Sequence, residues 1–255
     1  MIKNQKVIIT AGASGIGLET LKTFVAAGAK VAICDIDQGA LEDVRAQYPD
    51  VFSNYCDVSD ASQTESFIQS AASQLDGIDT LINNAGVGGP TARIEDITSA
   101  EWNKCLSVCL GAQFHCSRAS VNFLKQSSNA SIVNLSSAAG RMGFALRTPY
   151  AAAKWGVIGL TKSLAIELGE YNIRVNAVLP GVVSGARQEK VLREKAASKN
   201  ITYEEMEKQA LSYSSIKNYV SAADIANQIF FLSGETGRMI SGQAISVCGD
   251  LKMLS

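Results

Sequence analysis

Apolar residues recur along this chain in two registers. Short unbroken apolar runs alternate with longer stretches in which apolar positions return every three or four residues. The runs predict strands over 6–10 (KVIIT), 30–35 (KVAICD), 51–55, 79–83 (DTLIN), 131–136 (SIVNLS), 173–179 (IRVNAVL) and 243–248 (QAISVC). The longer stretches predict helices over 15–28, 38–47, 61–75, 99–127, 149–170, 203–212 and 221–232. Strands that are apolar at successive positions are buried on both faces, as in a parallel sheet covered by helices. The βαβαβ alternation predicts a doubly wound α/β fold with right-handed crossovers.

The pattern is regular over residues 1–255, which predicts a single domain, except at 184–220. That segment is charged, polar and irregular, and it reads as a surface helical insertion. Inserts of this kind at sheet edges form binding lids; the plainer alternative is a solvated helix pair with no ligand role.

Composition narrows the class. Of the 255 residues, 47% are hydrophobic and 18% charged, so a large core can form and global disorder is excluded. The net charge is −1, which offers no overall field for nucleic acid or anionic lipid. No apolar stretch reaches the roughly 18 residues of a membrane span. The start, MIKNQKVIIT, runs straight into a strand and has no signal-peptide core. Six cysteines (Cys34, Cys56, Cys105, Cys109, Cys116, Cys248) include no C-x-x-C pair. The expectation is a cytoplasmic protein whose cysteines are small core residues, with no metal site. Cys105, Cys109 and Cys116 share one face if 99–127 is a single helix. His115 is the only histidine, which leaves little room for a Ser-His-Asp hydrolase.

The first strand runs into Thr10-Ala11-Gly12-Ala13-Ser14-Gly15-Ile16-Gly17 and then into the first helix. Gly12, Gly15 and Gly17 allow a tight turn and close approach of a pyrophosphate, which the helix N-terminus then binds. Asp35 ends the second strand. A carboxylate there accepts ribose hydroxyls of NAD and repels the 2′-phosphate of NADP. No Arg or Lys lies in 11–17 or between Val31 and Gly39, so NAD is the expected cofactor.

These residues resemble the short-chain dehydrogenase/reductase family, in its single-domain branch. The resemblance covers nearly the whole chain. It is carried by the glycine turn, by Asn83-Asn84-Ala85-Gly86, by Ser137, by Tyr150-Ala-Ala-Ala-Lys154 and by Pro180-Gly181; Asp57-Val58 also looks like the family's adenine contact. It implies a Rossmann-type fold of about seven parallel strands with helices on both faces, an NAD(P)-dependent oxidoreductase and commonly a homotetramer. Carried over residue by residue, it implies cofactor contacts at Gly12, Ser14, Gly15, Ile16, Gly17, Asp35, Asp57, Val58, Asn83, Gly86, Tyr150, Lys154, Pro180, Gly181 and the Val183 main chain.

Tyr150 and Lys154 are four apart in a helical stretch and share a face. A phenol of ordinary pKa is a poor base at neutral pH, and an adjacent ammonium lowers that pKa. This gives Tyr150 the role of general acid/base and Lys154 that of tuning it. Ser137 stands at the carboxyl end of a strand, where ligands of open α/β sheets bind, and its hydroxyl orients the substrate oxygen. The predicted reaction interconverts a secondary alcohol and a ketone.

Departures from the family pattern are visible. Ala11 stands where glycine is usual, and alanine does not readily take positive φ. Cys109 replaces the family's fourth catalytic residue, an asparagine. Gly185 replaces a threonine, and Cys248 an aspartate. For the substrate, Arg141, Arg147 and Arg187 would suit a small polar or anionic alcohol. Pairing with Glu189 or Glu194, or a subunit interface, would explain them equally, and Met142, Phe144 and Leu146 would suit an apolar pocket. Two other functions stay open: an NADPH-dependent 3-oxoacyl-carrier-protein reductase, and a non-catalytic cofactor-binding regulator.

Overall fold

The apolar runs form seven parallel strands: β1 (Lys6–Thr10), β2 (Lys30–Asp35), β3 (Phe52–Tyr55), β4 (Thr80–Asn83), β5 (Ser131–Leu135), β6 (Arg174–Pro180) and β7 (Ala244–Val247). The computed structural model describes residues 2–252, except the side chain of Arg187. The strand order is β3-β2-β1-β4-β5-β6-β7. Strands β4, β5 and β6 are buried at every position, which is why their sequences show no polar alternation. Strand β3, at one edge, is half-buried to exposed.

Helices cover both faces: α1 (Gly15–Ala26), α2 (Gln38–Gln47), α3 (Ala61–Leu75), α4 (Ser99–Leu106), α5 (Ala112–Leu124), α6 (Thr148–Glu167), α7 (Ala186–Lys199), α8 (Tyr203–Ser212) and α9 (Ala222–Ser233). Side chains alternate across the strands and divide the core into two layers. Ile8 of β1 packs with Phe67 and Ile68 of α3 and with Cys116 and Leu124 of α5. Its neighbours Val7 and Ile9 pack on the other face with Leu21, Phe24 and Leu232 of α1 and α9. Local chemistry sets several helix starts. Asp60 accepts from the Ser62 and Gln63 amides, and Thr98–Glu101, Thr202–Glu205 and Ser221–Asp224 form reciprocal caps.

Two expectations need correction. The predicted helix 99–127 is interrupted by a π-helical turn at Ser107–Gly111. The wider turn separates the three cysteines expected on one face. Cys105 and Cys109 pack with Ala153 of α6, while Cys116 enters the layer beneath the sheet. Ala11 does adopt positive φ, at 50°. The insertion 184–220 holds α7, absent from the predicted helices, and α8; they pack around Leu192, Ala196 and Met206. No helix among the described residues is long and apolar enough to cross a membrane. All six cysteines are buried, and none of them is in a disulfide. Among the described residues no three His, Cys, Asp or Glu side chains group as a metal site.

Candidate active site

The strand order reverses direction between β1 and β4, and the crevice of such a sheet lies there, outside the carboxyl ends. A cavity of about 370 Å³ occupies this place. Ser14, Gly15 and Ile16 line one wall, Gly86 and Asn84 the floor, and Ser137, Tyr150 and Lys154 the far side. Pro180, Gly181 and Val183 follow β6, and Ala186 and Gln188 reach in from α7.

The glycine turn is shaped by close backbone approach. A Cβ on Gly17 would sit 2.0 Å from the Ala11 carbonyl oxygen and 2.7 Å from Asn84 Nδ2. A Cβ on Gly12 would sit 2.6 Å from the Ile33 side chain. Gly15 has φ 52° and open space above it. Ser14 precedes α1 without a side-chain cap, so the first amides of α1 face the cavity wall unsatisfied by a side chain. This cradle fits the pyrophosphate of a dinucleotide. Asp35 is buried beside it: Oδ2 accepts from the Ala13 amide (3.1 Å) and Oδ1 from the Ile36 amide (2.8 Å). Oδ1 also accepts from the Asp37 amide (3.2 Å), so Oδ2 is the oxygen that keeps a further lone pair for a ribose hydroxyl. Asp57 follows β3, two strands from β1, where its Oδ1 accepts from the Ser59 amide and hydroxyl; Val58 is buried against α3.

The far wall is held by α6. Lys154 is buried, its Nζ donates to the Leu135 carbonyl (2.7 Å), and it lies 5.7 Å from the Tyr150 ring centroid. Gly86 faces this ammonium, and a Cβ there would lie in ordinary contact with Nζ, at 3.5 Å. Ser137 faces the same cavity, its Oγ accepting from the Ala139 amide (3.2 Å). Ser136 Oγ donates to the Lys154 carbonyl (2.7 Å), so the neighbouring serine anchors the helix. After β6, the bonds Ser184 N–H to Val220 O and Val220 N–H to Val182 O flank Val183. In an extended chain the N–H and C=O of Val183 then point the opposite way.

Other sequence expectations are redistributed. Asn83 does not line the cavity: its Nδ2 donates to Asn134 Oδ1 (2.8 Å) and Ser117 Oγ (3.2 Å), joining strands behind the site. Asn84 lines it instead, and its Nδ2 donates to the Thr10 and Ala11 carbonyls, clamping the glycine turn. Arg141 is engaged elsewhere, donating to the Ala244 carbonyl and to Ser246 Oγ of β7. Arg147 is buried beside Tyr150, with its Cζ 5.3 Å from that ring's centroid. Arg187 falls in the first turn of α7, with its side chain outside the described residues. Cys109 Sγ accepts from the Val87 amide (3.3 Å) and donates to the Val87 carbonyl (3.2 Å), fixing the loop after Gly86. The hydrogen bond to Cys109, and then burial, push the Cys105 thiol well above its usual range. Cys248 packs its backbone against Gly181, where a Cβ would lie 2.7 Å from Cys248 Cα. Sequence reasoning missed Ser184 and Gln188; nothing in their local pattern marks them.

The sequence model described as short chain dehydrogenase matches residues 5–196. The chain belongs to the short-chain dehydrogenase family. Levodione reductase of Leifsonia aquatica is 31% identical over 252 residues, covering 95% of this chain and 92% of that one. Two solved structures superpose closely. NAD+-bound xylitol dehydrogenase has TM-score 0.93 and 26% identity, covering 97% of this chain and 99% of that one. A variant of actinorhodin polyketide ketoreductase with NADPH has TM-score 0.93 and 26% identity, covering 99% and 98%. Short-chain dehydrogenases bind a nicotinamide cofactor, and the uncapped start of α1 beneath the glycine turn fits that role here.

Proposed function

We propose that this protein is an NAD-dependent oxidoreductase interconverting a secondary alcohol and a ketone. The observation that carries the reading is one cavity lined by Ser137, Tyr150 and Lys154 on one side and by the start of α1 on the other. Ser14, Gly15 and Ile16 would hold the pyrophosphate, with Gly12 and Gly17 keeping the turn tight. Asp35 would take the adenosine ribose, and Asp57 and Val58 the adenine. Gly86, Pro180, Gly181 and the Val183 main chain would border the nicotinamide. Bound NAD would supply the hydride acceptor.

In oxidation the Tyr150 oxygen takes the proton of the substrate hydroxyl, and in reduction it returns it. The Lys154 ammonium favours the negative oxygen that forms on Tyr150, and it lies within reach of a ribose hydroxyl. Ser137 donates to the substrate oxygen and holds it toward Tyr150. Residues 184–220 act as a lid, supported by Ala186 and Gln188 on the cavity wall.

NAD is favoured over NADPH by the Asp35 carboxylate, since like charges repel the 2′-phosphate. Self-association, expected as a homotetramer, draws support from exposed Phe114 on α5 and Trp155 on α6. The test is NADH formation by purified protein given NAD and a panel of secondary alcohols, with Tyr150→Phe as control. Turnover lost in the variant is expected. Tight NADH binding with no turnover on any alcohol, and none in reverse on the matching ketones, would overturn the reading.

A further inference from the structure

A second cavity, about 590 Å³, adjoins the first and shares Gly86 and Ala186 with it. Gly86–Pro90 form one wall and Lys190 and Glu194 of α7 another. Arg147 lies behind the Gly88 wall. It is 3% exposed, and its Nη2 donates to the Gly88 carbonyl. Its Nε and Nη1 are buried with no hydrogen-bond partner. Buried polar groups are nearly always paired, so two open donors on one guanidinium call for a partner. Among the described residues no carboxylate forms an ion pair with it. Glu194, the acid that acts on it, is instead held by the Thr91 hydroxyl (2.9 Å).

A second cation stands close by. Lys195 Nζ of α7 is 4.0 Å from the Phe144 ring centroid, and Arg147 Cζ is 5.9 Å from the same centroid. Lys195 also makes no ion pair among the described residues. Burial, and then Arg147, lower its pKa to about 8. Two cations thus crowd the Phe144 ring, and neither makes an ion pair among the described residues.

We propose that Arg147 and Lys195 form a subsite for a carboxylate on the substrate, at the end remote from the reacting carbon. The inference rests on the oxidoreductase reading of the adjoining site. A guanidinium and an ammonium suit a carboxylate, and on the cavity wall Lys104 and Lys190 balance Glu101 and Glu194. The Arg147 guanidinium lies over the Tyr150 ring, 5.3 Å from its centroid, so oxo acids of graded length are the probes. Of the three arginines singled out in the sequence, the subsite uses Arg147, while Arg141 is occupied on β7.

The experiment uses acetoacetate, 4-oxopentanoate and 5-oxohexanoate, each paired with its neutral methyl ester. Reduction by NADH is followed for wild type, Lys195→Gln and Arg147→Gln. Binding of the same compounds to Tyr150→Phe protein with NADH is measured by calorimetry. At least one acid should exceed its ester in kcat/KM and in affinity. Lys195→Gln should cut that acid-to-ester ratio by about tenfold, the scale of one charge-assisted hydrogen bond. Arg147→Gln should cut it further; if that variant fails to fold, Lys195→Gln and the binding data decide. Equal turnover of acid and ester throughout, and no acid preference in binding, would overturn the subsite and leave the oxidoreductase reading standing. Acid-selective binding, with no turnover of these acids or of the alcohol and ketone panel, would keep the subsite and sink the oxidoreductase reading.

Discussion

The Lys154 ammonium donates to the Leu135 main-chain carbonyl across 2.7 Å, joining α6 to the end of β5 inside the protein. The lysine is therefore a structural tie as well as a cavity wall. Lys154→Met preserves length and removes the donor. It should leave the Leu135 carbonyl with Gln113 Nε2 (3.0 Å) as its remaining side-chain donor and destabilise the fold by about 0.5–1.5 kcal/mol. Urea unfolding measures this, and an unchanged midpoint would mean that the tie contributes nothing.

Tyr150 separates chemistry from stability. Its hydroxyl makes no hydrogen bond to the described residues, so Tyr150→Phe should change stability by no more than about 0.5 kcal/mol. Turnover should fall by about 10²–10⁴-fold, the range of a general acid–base contribution. Parallel thermal melts and initial rates give both numbers.

Asp35 accepts from the Ala13 amide of the glycine turn, and on the proposed reading its charge selects the cofactor. Asp35→Ser removes the charge and keeps a small acceptor. The ratio of kcat/KM for NADH over NADPH should drop by about two orders of magnitude, since like-charge contacts cost several kcal/mol. A ratio that stays fixed would show that another group selects the cofactor.

Ala11 occupies left-handed space at φ 50°. That conformation costs an L-residue about 1–2 kcal/mol relative to glycine. Its methyl is half-buried against the core and contributes less than about 0.8 kcal/mol. Strain wins, so Ala11→Gly should stabilise by about 0.5–1 kcal/mol and raise Tm by about 1–4 °C. A lower Tm would mean that the methyl matters more than the backbone.

Lys195 has a folded pKa of about 8, below the unfolded value of about 10.4. Burial first, and then its neighbours Arg147 and Lys199, oppose the protonated form. Between these two values the unfolded chain binds more protons than the folded one, so this group makes stability rise with pH. Below about pH 8 both states are charged and its contribution is flat. The wild-type urea midpoint, referenced to Lys195→Met, should climb from pH 8 to 10; a falling difference would reverse the sign.

The sequence by itself determined what depends on short range. Continuous apolar runs located the central strands β4, β5 and β6 within one residue, because burial on both faces leaves no polar alternation to blur them. The glycine turn and the Tyr150–Lys154 spacing were legible because both follow from local backbone geometry. Tertiary structure decided which side chain faces what. Asn83 and Asn84 are adjacent in a strand end, and the sheet turned the first toward Asn134 and the second toward the cavity. Arg141 and Arg147 are alike in composition, yet β7 carbonyls took one and the Gly88 loop the other. The π-turn at Ser107–Gly111 and the left-handed Ala11 were equally hidden. Each is a local conformation imposed by packing of distant segments, an energy that no window of neighbouring residues contains.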